Sequence, residues 1–323
     1  MLMNCLAKRR ERRCEMFRKH KTMIAYMLML ALFTVYVALD SFVITRVYGN
    51  AQTQTDSGLS VESADSDAED DSDAVLPVTT SNSYSDGHIS LTVNEYTVEG
   101  TEVYLAEVSL DSSEYLKTAF AQGVYGKNVT QTTSEIAEET GAILAINGDY
   151  YGARESGYVI KNGQLYRNTP TSGQEDLVIY SDGSFGIIDE SEVSAEQLIE
   201  DGAVQTLAFG PALVEDGEIS VDADDEVGRA MASNPRTAIG IREDGTYLFV
   251  VSDGRTDESE GLSLQELAEF MKSQGAVTAY NLDGGGSSTM VFNGNVVNNP
   301  TGGHAGHGTG SERSVSDIVY IGY

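Results

Sequence analysis

Three apolar stretches of this chain each run into an Asn or Asp followed by glycine. Ala142–Ile146 leads into Asn147-Gly-Asp-Tyr-Tyr151, Tyr247–Ser252 into Asp253-Gly-Arg255, and Ala276–Leu282 into Asp283-Gly-Gly-Gly-Ser-Ser288. Near-continuous apolar runs of this length have the composition of strands buried on both faces. Asp283 and Asp253 therefore offer two carboxylates at strand ends, the groups that stabilise a developing cation, activate water or hold a proton. Asn147 is the third strand-end polar group and joins them as a catalytic candidate, with Asp149 and Tyr151 behind it as candidate substrate contacts. Gly284, Gly285 and Gly286, followed by Ser287, let backbone N–H groups come close to an anion. Arg236, Arg255 and Arg313 are the candidate phosphate ligands, because a guanidinium matches phosphate oxygens two at a time.

Each feature also has a plainer reading. Asx-Gly pairs make turns, and an arginine in an acidic domain forms surface ion pairs. The pairs at Asn162, Asp182, Asp244 and Asn293 return at once to alternating strand, as hairpins do. The three singled out above instead enter loops bearing Gly, Tyr or Arg. No Gly-Lys-Ser/Thr follows the glycine run, so it is not a nucleotide-binding loop of that type. His304 and His307 lie in a glycine-rich loop with no third ligand nearby, a poor preorganised metal site. No metal ligands are assigned and no cofactor is expected, with a divalent ion left open.

The elements that position these residues read as a mixed α/β domain, largely β-sheet with flanking helices. One helix is expected over about 134–140, stopping at Gly141. A second starts at Ser194 and ends at Gly202. A third starts at Ser263 with Glu266 as its capping partner, buries Leu264, Leu267, Ala268 and Met271, and ends at Gly275. The first and third apolar strands each follow a helix, so these two are expected to enter the sheet from the same side, and the polar strand ends to converge on one rim.

The N-terminal part differs in kind. Eight of the 20 basic residues lie between Lys8 and Lys21, and an uncharged apolar run follows from Met23 to Leu39, extended by Phe42–Ile44. This predicts a single transmembrane helix over 23–45, with residues 1–22 cytoplasmic and the rest outside. A cleaved signal peptide ending near Ala51 is the rival reading. Residues 46–85 read as an acidic disordered stalk, and 86–323 as the folded domain. Cys5 and Cys14 both precede the apolar run, so no disulfide is expected in that domain. With 50 acidic residues against 20 basic ones, and only eleven of the latter beyond Arg46, nucleic acid is an unlikely partner.

Asn147-Gly-Asp-Tyr-Tyr-Gly152, Asn234-Pro-Arg-Thr-Ala-Ile-Gly240, Val251-Ser-Asp-Gly-Arg255, Asn281-Leu-Asp-Gly-Gly-Gly-Ser-Ser288 and Glu312-Arg-Ser-Val315 occur in an order that resembles the phosphodiester glycosidase family. The resemblance runs from about Ala142 to Tyr323. It implies hydrolysis of a glycosyl–phosphate linkage, with a phosphate-linked carbohydrate as substrate and a place in cell-envelope or exopolysaccharide metabolism. A phosphate ester leaves readily, so its departure needs charge neutralisation more than strong proton donation. Arginines suit the first task and the two aspartates the sugar. The competing class is a non-catalytic, membrane-anchored glycan- or wall-binding module. Such modules rely on aromatic platforms, and with no Trp in the chain Tyr150 and Tyr151 are the main candidates.

Overall fold

The computed structural model describes residues 23–24, 26–40, 43–50, 76–221, 233–302 and 310–323. The basic segment with both cysteines, the acidic run of the stalk, and His304 with His307 lie outside the described residues. The chain divides into two compact units, Met1–Arg46 and Val47–Tyr323. In the first, residues 26–40 are helical with mostly exposed side chains. Among the described residues no helix is long and apolar enough to cross a membrane.

The second unit is mostly sheet. Its strands are β1 (Val78–Thr79), β2 (Ser83–Ser85), β3 (Ile89–Val98), β4 (Thr101–Leu110), β5 (Leu116–Phe120), β6 (Leu144–Asn147), β7 (Val159–Lys161) and β8 (Gln164–Arg167). They continue with β9 (Glu175–Tyr180), β10 (Phe185–Asp189), β11 (Ala203–Leu207), β12 (Ala212–Glu215), β13 (Glu218–Ile219) and β14 (Arg236–Arg242). The last are β15 (Tyr247–Ser252), β16 (Ala276–Asn281), β17 (Met290–Phe292), β18 (Asn295–Val296) and β19 (Asp317–Ile321). Among the described residues, nine strands form one sheet in the order β13-β12-β16-β14-β15-β4-β3-β2-β1 and five form another, β18-β17-β6-β19-β5. A three-stranded sheet, β10-β9-β11, the β7–β8 hairpin and a further short strand, Val124–Lys127, belong to the same unit.

The two large sheets face each other across one core. Ile239, Phe249, Val251, Tyr280 and Leu282 from the nine-stranded sheet meet Leu144, Ile146, Met290, Val319 and Ile321 from the five-stranded one. A helix covers each outer face. α1 (Thr133–Thr140) lays Ile136 and Ala137 on Ala145, Val291 and Ile318, while α3 (Leu264–Ser273) lays Leu267, Ala268 and Met271 on Leu213, Val250 and Ala279. Gly240 lets α3 sit this close: a Cβ there would lie 2.7 Å from the Met271 Cε and 2.9 Å from the Thr278 carbonyl. α2 (Ala195–Glu200) packs on the three-stranded sheet.

All three expected helices are present, with Ser194 and Ser263 as N-caps and Thr132 closing a capping box on α1. The hairpins at Asn162, Asp182, Asp244 and Asn293 also form, and Asp216-Gly217 adds one that was not anticipated. Two expectations need correction. Residues 78–85 are not stalk: β1 and β2 extend the nine-stranded sheet, held by backbone pairing that an apolar count does not register. The three apolar strands do not share one sheet either. β6 belongs to the five-stranded sheet, whereas β15 and β16 flank β14 in the nine-stranded one, both antiparallel to it. Every pairing between these strands is antiparallel, so the crevice rule for parallel sheets does not apply.

Candidate active site

The polar strand ends nevertheless converge, because the two sheets are stitched together where β6 meets β14. The Asn147 amide is fully used in that stitch. Its Oδ1 accepts from Thr237 Oγ1 (2.8 Å) and the Thr289 N–H (3.2 Å), and its Nδ2 donates to the Asp283 carbonyl (2.5 Å). The Asp283 N–H in turn reaches the Gly148 carbonyl at 3.3 Å. Asn147 is completely buried, so it holds the site together from beneath and has no face left for a reacting group.

Asp283 stands on the turn after β16. Ser287 Oγ donates to its Oδ2 at 2.7 Å, and Arg313 Nη2 contacts Oδ2 and Oδ1 at 2.9 and 3.2 Å. Burial raises the Asp283 carboxyl above the usual carboxylate range, and the Arg313 charge pulls it partly back. Asp253 follows β15 and is also buried. Its Oδ1 accepts from the Asn299 N–H (2.8 Å) and Asn298 Nδ2 (3.2 Å), with the Tyr104 hydroxyl 3.5 Å from Oδ2. Burial raises this carboxyl too, against those same donors. Asn298 ties the two carboxylate segments together: its Nδ2 also donates to the Ser288 carbonyl (3.0 Å) and its Oδ1 accepts from the Met290 N–H (2.9 Å).

Part of the glycine run is engaged locally: Gly285 N donates to the Pro235 carbonyl (2.7 Å), Ser287 N to the Gly284 carbonyl (3.3 Å) and Ser288 N to the Gly285 carbonyl (3.2 Å). What the glycines permit is close approach. A Cβ on Gly284 would lie 2.9 Å from the Pro235 carbonyl, and one on Gly285, where φ is +62°, would lie 2.9 Å from an Arg255 guanidinium nitrogen. Two guanidiniums consequently flank this turn. Arg255 lies against Gly285 and donates to Asn234 Oδ1 from Nε (3.2 Å) and Nη2 (2.9 Å). Arg313 bonds Ser287 Oγ (2.8 Å from Nε), the Gly284 carbonyl (3.2 Å) and Asp283, while its side chain keeps 46% of its exposure. Arg236 is buried at the head of β14 with its Nε on the Leu262 carbonyl (2.8 Å).

Asp149 and Tyr151 are not on the rim. Both Asp149 oxygens accept backbone donors, from Tyr151 N (2.8 Å) and Ala208 N (3.0 Å), and the side chain is buried. Tyr151 packs among Phe120, Tyr125 and Tyr166, stacked on Tyr125 at 5.6 Å. Pinning on both sides leaves Tyr150 facing outward at 44% exposure. Among the described residues no group of three or more His, Cys, Asp or Glu side chains is placed to hold a metal ion.

The phosphodiester glycosidase family profile matches residues 140–322, which include every residue placed above except Tyr104 and the two aromatics Phe120 and Tyr125. The chain belongs to this family. It is 32% identical over 234 residues to the SPbeta prophage-derived uncharacterized protein YomE of Bacillus subtilis, covering 70% of this chain and 34% of that one. It is 31% identical to the Mus musculus N-acetylglucosamine-1-phosphodiester alpha-N-acetylglucosaminidase, covering 53% of this chain and 35% of that enzyme. The chain thus spans about a third of the length of these curated relatives. The catalytic domain of the zebrafish enzyme of that name shares the fold, with a TM-score of 0.58 at 22% identity over 73% of this chain and 83% of that one.

In this family member the structure sets Arg313, Ser287 and Arg255 around the turn that carries Asp283, with Asp253 tied to the end of that turn through Asn298, while Asn147, Asp149 and Tyr151 are buried beneath. Asn234, Asn298 and Asn299, which orient Arg255 and Asp253, were not singled out from sequence. Asn234 was legible in principle, immediately before the Pro235-Arg236 pair, whereas Asn298 and Asn299 read as an ordinary loop.

Proposed function

We propose that this chain hydrolyses the glycosyl–phosphate bond of a sugar-1-phosphodiester at the Asp283–Asp253 site. The observation that carries the reading is the pair of guanidiniums, Arg255 and Arg313, flanking the glycine turn on which Asp283 stands. Two cations beside a carboxylate suit a substrate with an anionic leaving group next to a centre that becomes cationic. The arginines neutralise the departing phosphate, which takes the C1–O bonding electrons with it. One carboxylate stabilises the oxocarbenium-like sugar, and a carboxylate accepts the proton of the water that adds to C1. Burial at both aspartates supports this division of labour, since carboxyls raised above the usual range exchange protons nearer neutral pH.

The names of the curated relatives make N-acetylglucosamine the first sugar to try. The basic cluster and apolar run before residue 45 support a membrane-anchored protein with this domain outside the cytoplasm, and an envelope or exopolysaccharide substrate goes with that placement. The test is mass spectrometry of products formed in ¹⁸O-water from a sugar-1-phosphodiester. Label in the released sugar supports the reading. Label in the phosphate product means P–O cleavage, and binding without turnover means a glycan-binding module; either overturns it.

A further inference from the structure

Asp253 is held on two sides, and one of them comes from a strand that precedes the family-matched residues 140–322. Its Oδ1 is committed to the Asn299 N–H and to Asn298 Nδ2. Among the described residues its Oδ2 has a single partner, the Tyr104 hydroxyl at 3.5 Å. The sheet ladder puts Tyr104 there. β4 pairs with β15 without a bulge, from Val103 opposite Ser252 to Val108 opposite Tyr247, which sets Tyr104 directly across from Val251. The Asp253 N–H carries that ladder one step further, donating to the Glu102 carbonyl (2.9 Å). Asp253 lies two positions beyond Val251, so the alternation of a strand turns both side chains to one face. Tyr104 is therefore a diagonal neighbour of Asp253, at a separation that an aromatic side chain spans.

The start of β4 is also fastened to the loop that follows Asp253. Thr101 Oγ1, completely buried, donates to the Gly261 carbonyl and accepts the Gly261 N–H, both at 3.0 Å. The Glu102 N–H donates to Ser259 Oγ at 3.1 Å. One short segment, 101–104, thus holds the Asp253 backbone, the far end of its loop and its Oδ2. The half-buried Tyr104 ring packs against the core between the two large sheets, and a phenylalanine would fill that space equally well. Packing does not call for the hydroxyl.

We infer that Tyr104 is a positioning residue of the site: its hydroxyl holds Asp253 Oδ2 as the oxygen that meets the sugar or the water, so the active site extends into β4, upstream of the family-matched segment. Oδ1 is already taken by two donors, which leaves Oδ2 as the oxygen with a lone pair to offer. At 3.5 Å the Tyr104 contact is longer than the about 2.7 Å of a settled hydroxyl–carboxylate bond, as catalytic contacts are before substrate draws them in. Burial, and then the Asp253 charge, push the Tyr104 hydroxyl up to about 12, so at neutral pH it keeps the proton that it donates.

This inference rests on the proposed function, which gives Asp253 its carboxylate role. The test is kinetics of sugar-1-phosphodiester hydrolysis by wild type, Tyr104→Phe, Asp253→Asn and the double variant, with Tyr247→Phe as control. Tyr247 is a buried tyrosine on β15 whose hydroxyl donates to the Gly183 carbonyl (2.9 Å), so its loss should lower the melting temperature and leave kcat alone. Tyr104→Phe should do the opposite, lowering kcat by about tenfold with KM within about twofold and melting near wild type. A hydroxyl that acts through Asp253 has nothing left to act on once that carboxylate is gone, so the double variant should be within about twofold of Asp253→Asn. A kcat for Tyr104→Phe within about twofold of wild type overturns the inference, and so does a full further tenfold loss in the double variant. The Tyr104 Cζ resonance in ¹³C NMR, assigned with Tyr104→Phe, reads the contact without turnover: it should move in Asp253→Asn, and an unmoved resonance also overturns the inference. Wild type without turnover would sink the proposed function and the kinetic half of this inference with it, while the resonance still decides whether Tyr104 holds Asp253.

Discussion

Asp86 and Asp283 are each 8% exposed, and their environments push them in opposite directions. Asp86 sits between β2 and β3. Its Oδ2 accepts the Tyr84 hydroxyl (2.5 Å) and that of Tyr323, and its Oδ1 accepts the N–H groups of His88 (3.0 Å) and Ile89 (2.9 Å). Those donors outweigh burial and hold its carboxyl well below the ordinary range. Asp283 has Ser287 and a partly exposed Arg313, and burial wins. Burial alone therefore says little about what a carboxylate is for. The number of fixed donors separates one locked into its charge from one able to exchange a proton.

Neutralising each aspartate tests that difference, and the largest effect is expected at Asp283. Asp283→Asn keeps the shape and removes the charge, so turnover should fall by about a hundredfold or more. Folding disfavours the charged form of Asp283, so its favourable contribution is full below the unfolded value of about 3.9 and is lost as pH rises through the higher folded value. The variant should thus melt at or above the wild-type temperature at pH 7. A rate within a fewfold of wild type would make Asp283 a turn residue. Asp86→Asn should do the reverse, leaving activity per folded molecule intact and costing about 1–3 kcal/mol of stability through mismatched donors. A depressed carboxyl contributes in full above about pH 3.9 and loses that contribution as pH falls towards its folded value, so wild type should lose stability on acidification more steeply than Asp86→Asn. Denaturant melts at several pH values measure both, and equal acid slopes would refute the locked-carboxylate account.

This contrast also marks where the sequence was readable. The helices were legible because Ser263–Glu266 and Gly275 punctuate a clean 3.6-residue stripe, and the hairpins because Asn-Gly pairs sit at φ values near +50° and +75°. The sheet partition was not, since β6, β15 and β16 are equally apolar and nothing local says which sheet each joins. Asp283 and Asp253 were legible as strand-end acids. Asn147, Asp149 and Tyr151 look the same in sequence but turn inward, because Asn147 finds Thr237 across 90 residues and Asp149 finds Ala208 across 59.

Arg313→Ala sharpens the comparison by a smaller step. Arg313 is the charge that pulls Asp283 back towards the ordinary range, so its loss should send the carboxyl higher and move the acid limb of kcat to higher pH. Hydrolysis of a sugar-1-phosphodiester should also slow more than that of a neutral aryl glycoside of the same sugar. A unique role in phosphate binding would leave the acid limb in place, and equal slowing of both substrates would remove the phosphate role.

The smallest effect is expected at Tyr150. It is exposed, and its backbone is fixed on one side by Asp149 and on the other by the buried Tyr151, so its ring is presented without the entropy cost of an ordering loop. A ring presented in this way suits a sugar face, which needs apolar area and no particular charge, and the expectation is that it contacts the sugar. Tyr150→Ala should raise KM by about threefold to tenfold and leave kcat, the pH profile and the melting temperature near wild type, with Tyr150→Phe restoring KM. Because Asp283 and Asp86 act through charge, neither can be rescued in that way by an uncharged isostere. A KM unchanged in Tyr150→Ala would place the sugar elsewhere on the rim, and a fall in kcat alone would mean that the ring props the Asp149 segment instead of touching substrate.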